Sequence, residues 1–146
     1  MGRVRALNLM DTINIVDVVA AIIERQGKIL LAQRDEQSDL AGYWEFPGGK
    51  IEAGETPERA LCRELNEEMG LTDLQIAEHV ATSTISQPAR VLSLQAWRVV
   101  GFEGEIQLRC HSRFAWVSPQ EASDYLLAPA DVPLLDAYLQ RSLKKG

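Results

Sequence analysis

A chain of 146 residues that is 46% hydrophobic and 25% charged has the length and balance of one globular domain around a single core. Its formal net charge of −6 argues against broad attraction to nucleic acid polymers or anionic membranes. Cys62 and Cys110 are too few for a disulfide framework, and the apolar run 18–23 is strand length rather than membrane-spanning.

Residues 1–14 carry no pattern and read as an N-terminal arm ahead of a single domain over residues 15–146. Arg3 and Arg5 are followed by no signal-peptide apolar stretch or cleavage pattern, so the expectation is a cytoplasmic protein. Residues 15–24 are β-branched and nearly all apolar, as in a buried strand; Gln26-Gly27 breaks it, and residues 28–33 form a second strand, its hairpin partner or a near neighbour. A polar loop over 34–42 leads to a short aromatic strand, 43–46.

Next comes GGKIEAGETPERALCRELNEEMGL, residues 48–71, whose second half predicts a helix with both ends marked. Thr56 is the N-cap, Pro57 takes the first helical position, and Gly70 closes the C-terminus in a left-handed conformation. Glu64, Glu67 and Glu68 stand at i, i+3, i+4 on one face, with Leu61, Leu65 and Met69 on the neighbouring face. Three carboxylates so close repel one another, and burial raises that cost unless a cation neutralises it. Oxygen ligands of this kind favour Mg²⁺ or Mn²⁺. Gly48, Gly49 and Gly54 allow the preceding loop to approach a phosphate closely.

Beyond the helix, residues 74–85 read as a strand, 86–88 as a turn and 89–100 as a long strand, with Gly101 and Gly104 bracketing another turn. Residues 106–108 and 113–117 are further strand candidates. Ser118-Pro119-Gln120-Glu121 starts a short helix, and residues 130–144 carry Leu134, Leu135, Tyr138 and Leu139 at helical spacing.

From Gly49, five residues lead to Glu55, and seven more lead to Arg63-Glu64; Leu65, Glu67-Glu68 and Gly70-Leu71 follow. This resembles the Nudix box of the Nudix hydrolases with every specified position filled, and is far more specific than a glycine motif alone. Residues 44–50, WEFPGGK, are similar to the approach to the box in the MutT-like branch, and residues 18–34 and 127–135 look closer still to its bacterial CTP pyrophosphohydrolases. The resemblance implies an α/β (α+β) Nudix fold, an α/β/α sandwich around a mixed β-sheet. It also implies Mg²⁺- or Mn²⁺-dependent hydrolysis of nucleoside triphosphates, CTP, dCTP, modified dCTP or oxidised dGTP, to monophosphate and pyrophosphate. The partner is a small nucleotide, not a nucleic acid or membrane, and the chain is a monomer or homodimer. Two other readings stay open: hydrolysis of another nucleoside diphosphate derivative, and a nucleotide-binding module without turnover.

The same resemblance assigns the metal to Glu64, Glu67, Glu68 and a carbonyl near Gly48 and Gly49. Glu64 doubles as base, although relatives differ over which carboxylate serves. Arg63 pairs with Glu67 or Glu55 and orients the carboxylates, with Glu67 counted in the catalytic set. Arg34 either contacts phosphate or is a solvated loop arginine; Lys50 either touches phosphate with Gly49 or faces water. Asp131 either accepts from an exocyclic amine of the base, which favours cytosine, or caps the last helix, or does both. One position departs from the family. Cys110 stands where several relatives carry a glutamate, and a thiol is a poor Mg²⁺ ligand. His111 beside it is either a base or an exposed loop histidine.

Overall fold

The computed structural model describes residues 14–145, with side-chain environments through Arg141. The expected N-terminal arm therefore lies outside the described residues except for Asn14, which opens the first strand.

Strand β1, Asn14–Arg25, is the axis of the sheet. It runs parallel to β6, Arg90–Glu103, in unbroken register from Asn14 opposite Arg90 to Ile23 opposite Val99. β6 pairs antiparallel with β5, Thr72–Gln87, at the sheet edge. At its other end β1 turns tightly at Gln26 and Gly27, both at positive φ, into β2, Lys28–Arg34. Paired left-handed residues match the natural twist of a hairpin. β1 and β2 pair only next to this turn. They then splay, and the segment after the polar loop fills the wedge: β3, Trp44–Glu45, pairs with β2, while β4, Gly48–Lys50, pairs with β1. The last strand, β7, His111–Val117, lies on the far side of β2.

Successive residues of β1 serve opposite layers, as the pleat requires. Val19, Ala21 and Ile23 pack with Ala60, Leu61, Leu65 and Met69 of α1, Pro57–Met69. Ala20 and Ile22 pack with Leu134, Leu135 and Tyr138 of the final helix, α3, Val132–Lys145. A short helix α2, Pro119–Ala122, closed by a Ser118–Glu121 capping box, lies between β7 and α3. The result is the expected α/β/α sandwich around a mixed sheet. Leu61, Leu65 and Met69 are fully buried, and each contributes about 1.5–3 kcal/mol, so tertiary packing holds α1 in place. Among the described residues, no helix is long and apolar enough to cross a membrane.

Several local expectations change. Gly48 to Lys50, which precede the loop, form a strand. Gly101 lies inside β6, so it does not bracket a turn with Gly104. The 106–108 segment is not a strand: Gln107 N–H donates to the Met69 carbonyl at 2.9 Å and Arg109 N–H to that of Glu68 at 3.2 Å. It is a strap across the C-terminal end of α1, with Ile106 and Leu108 packed on the helix-side core. α3 begins at Val132, because Pro129–Asp131 forms a separate 3₁₀ turn. Cys62 is exposed on α1.

Candidate active site

Helix α1 forms as its caps dictate. Thr56 Oγ1 accepts from the Arg59 amide at 3.2 Å, and Gly70, at φ 72°, returns its N–H to the Asn66 carbonyl at 2.9 Å. With the apolar stripe pinned to β1, the carboxylate face has one direction available, toward β4. Gly48 and Gly49 make that approach possible. A Cβ on Gly48 would lie 1.9 Å from the Val19 carbonyl oxygen, and one on Gly49 would lie 2.4 Å from Glu64 Oε2.

Arg63 organises the outer edge of this cluster. Its Nε and Nη2 donate to the two oxygens of Glu55 at 2.7 and 2.9 Å, Nη1 donates to Glu64 Oε1 at 2.9 Å, and Nη2 also reaches the Lys50 carbonyl at 2.9 Å. Its contact with Glu67 is longer, 3.3 Å, and the Glu67 side chain is 58% exposed. Both expected partners are therefore engaged, with Glu55 the closer. The Arg63 bonds hold the Glu55 carboxyl down at about 2. Glu68 is the opposite case: burial, then the neighbouring Glu64, Glu45 and Glu67, push its carboxyl up to about 9. Its Oε1 is buried without a partner. An orphaned oxygen among repelling carboxylates fits a hard divalent cation, which would satisfy the lone pairs and cancel the repulsion.

A cleft of about 560 Å³ opens from this cluster. Gly48, Gly49 and Glu68 line one part of it; Arg34, Glu45 and Asp131 line others, with Phe46 and Leu94 among its apolar walls. Glu64 stands behind Gly49 rather than on the lining, and Lys50 is exposed outside it. Arg34 is no free loop arginine: it ends β2, and its Nη1 donates to Glu45 Oε1 at 2.7 Å. Asp131 is 4% exposed, and its Oδ1 has no partner. Burial and the Glu45 charge raise its carboxyl to about 8, against the opposing pull of the Phe46 amide and Arg34.

Sequence reasoning missed Glu45. It accepts from Arg34 through one oxygen and meets His111 Nε2 at 2.9 Å through the other. These partners hold its carboxyl down despite burial. The available signal was a carboxylate between the buried Trp44 and Phe46 in a strand. His111 is likewise not an exposed loop residue; it is buried, opens β7 and sits opposite Arg34. Cys110 is exposed, its thiol pushed up to about 11 by burial of the sulfur and the surrounding carboxylates.

In this sandwich the box helix places Glu68 on the cleft lining with Glu64 just behind Gly49, and the family model for the NUDIX domain matches residues 14–138. The chain belongs to the NUDIX family and is a Nudix hydrolase. It is 52% identical over 124 residues to the CTP pyrophosphohydrolase of Escherichia coli (strain K12), covering 85% of this chain and 91% of that one. It is 42% identical over 116 residues to the putative 8-oxo-dGTP diphosphatase 2 of Mycobacterium tuberculosis, with coverage of 78% and 81%. The solution structure of the E. coli ORF135 protein superposes with a TM-score of 0.82 at 49% identity, covering 89% of this chain and 92% of that one.

Proposed function

We propose that this chain hydrolyses nucleoside triphosphates to the monophosphate and pyrophosphate, acting on cytidine-type nucleotides, including modified dCTP, and on oxidised dGTP. Glu64, Glu67, Glu68 and the Gly48 backbone hold Mg²⁺ or Mn²⁺. When bound, the cation supplies charge neutralisation for the phosphate oxygens and activation of the attacking water. Arg63 keeps the box carboxylates aligned through Glu55 and Glu64. Glu64 takes the proton of the attacking water. Arg34, steadied by Glu45, offers its guanidinium to the phosphates beside the Gly49 backbone. Lys50 lies outside the cleft lining and reaches phosphate only in a ligand pose that extends over the rim.

The observation that carries the substrate reading is Asp131, a buried carboxyl with an unpartnered oxygen in the cleft that also holds Glu68. With its carboxyl at about 8, the group is largely protonated at neutral pH. A protonated carboxyl offers an acceptor and a donor side by side. That pair can match the N4 amine and N3 of cytosine. The name of the Escherichia coli relative, CTP pyrophosphohydrolase, points the same way, and that of the Mycobacterium tuberculosis relative supports the oxidised dGTP reading.

A phosphate-release assay coupled to inorganic pyrophosphatase, run over a nucleotide panel, tests the reading. Turnover highest with cytidine-type triphosphates is expected; no turnover of any triphosphate rejects the reaction. A nucleotide-binding module without turnover would bind equally well before and after Glu64→Gln and hydrolyse nothing in either form.

A further inference from the structure

Cys110 breaks the family pattern, yet the strap across α1 places it with care. Arg109 is tied to the end of the helix through its N–H to the Glu68 carbonyl and its Nη1 to the Asn66 carbonyl, 2.9 Å. The next residue is thereby held beside Glu68, and the one after that enters β7. Ligand atoms of Glu68, Cys110 and His111 all lie within 4.8 Å of one another. Within this group Cys110 Sγ is 3.6 Å from His111 Nδ1. Around a tetrahedral zinc, with bonds of about 2.3 Å to sulfur and about 2.05 Å to nitrogen, those atoms would sit roughly 3.6 Å apart.

The histidine is prepared for this role. The Glu45 carboxylate accepts from Nε2–H at 2.9 Å, so in the neutral ring Nδ1 carries its lone pair toward the thiol. A carboxylate behind a ring nitrogen is the usual way to fix the tautomer of a metal-binding histidine and raise its basicity. Glu68 adds a buried oxygen that no protein group satisfies. A donor set of sulfur, nitrogen and oxygen suits a borderline ion such as Zn²⁺ or Co²⁺ rather than Mg²⁺.

We propose that Glu68, Cys110 and His111 form a three-ligand site for a thiophilic divalent ion at the edge of the cleft, with a fourth position open. Cys110 releases its S–H proton to solvent as the sulfur–metal bond forms. Because Glu68 is shared with the box, an ion here draws it away from Glu64 and Glu67. The consequence for turnover, inhibition by Zn²⁺ that excess Mg²⁺ relieves, rests on the function proposed above; binding itself does not.

The test is therefore spectroscopic. The full chain in thiol-free buffer is titrated with Co²⁺, then with Zn²⁺ as competitor. The expected result is a stoichiometric complex with intense four-coordinate visible bands and a near-ultraviolet sulfur-to-cobalt charge-transfer band, both removed by Zn²⁺. Cys62→Ser and Glu64→Gln keep the charge-transfer band; Cys110→Ser loses it. Glu45→Gln leaves every ligand in place and weakens binding by about tenfold or more. Weak octahedral bands without charge transfer, or a charge-transfer band that survives Cys110→Ser, would overturn the proposal. Neither depends on whether any nucleotide is hydrolysed.

Discussion

Gly49 and Glu64 stand so close that no side chain fits between them: a Cβ on Gly49 would meet the Glu64 carboxyl carbon at 2.3 Å. β4 is fixed by its pairing with β1, and α1 by its buried stripe, so Gly49→Ala has only the carboxyl to displace. A shift of about 1 Å at a reacting group can cost about 10² in rate. Gly49→Ala is expected to lose about that much kcat while circular dichroism stays that of the parent. Gly48→Ala meets a backbone carbonyl at 1.9 Å, which cannot rotate aside. Its expected effect is on Tm, where overpacking of this kind costs about 1–3 kcal/mol.

Arg63→Lys tests whether alignment needs the planar fork. The guanidinium reaches Glu55 through two nitrogens while also holding Glu64 and the Lys50 carbonyl. An ammonium keeps the charge and cannot span that set. The expected outcome is roughly 10–100-fold weaker metal binding, read as a higher Mg²⁺ concentration for half-maximal rate. Nucleotide affinity without metal should stay unchanged.

Glu68 links metal binding to pH. Without a cation, burial and the neighbouring carboxylates keep its carboxyl protonated to about 9, and a cation binds only the ionised form. Mg²⁺ affinity is therefore expected to rise with pH up to about 9 and then level off. Calorimetry at pH 7 in two buffers of different ionisation enthalpy should report proton release. Glu68→Gln removes it, and undiminished release in that variant would place the proton elsewhere.

The parts of the site set by local rules were legible in the sequence. Thr56, Pro57 and Gly70 mark helix ends by chemistry confined to a few residues, and the i, i+3, i+4 spacing of the glutamates follows from the helix alone. The parts set by tertiary partners were not. Ile106 and Leu108 alternate as a strand would, but their segment's hydrogen bonds go to the end of α1, which no local pattern announces. Glu45 and His111 acquire their roles because β2 carries β3 on one side and β7 on the other, with Arg34 opposite His111. The sequence shows each residue in its strand but not that the strands converge. Gly48 was legible as permissive backbone, and only the structure shows that Val19 makes the glycine obligatory.

Asp131→Asn separates recognition from stability. The native carboxyl titrates near 8 against 3.8 for an ordinary aspartate, chiefly because it is buried. Between those values the folded chain binds a proton that the unfolded chain has released, so folding weakens as pH rises through the interval. An asparagine carries no such penalty and is nearly the same shape. The variant is expected to be more stable than the parent at pH 8, by about 1–3 kcal/mol, with the advantage shrinking to nothing near pH 4. Thermal melts at both pH values measure it. Activity should move the other way. The native enzyme's kcat/KM for cytidine triphosphates is expected to fall above pH 8 as the donor on Asp131 is lost, and the variant's profile should not share that fall. Asparagine still offers one acceptor and one donor, so its cytidine turnover should survive in reduced form. A variant less stable than the parent at pH 8 would mean that Asp131 is ionised in the cleft and paired there, and the protonated-carboxyl account of base selection would fail with it.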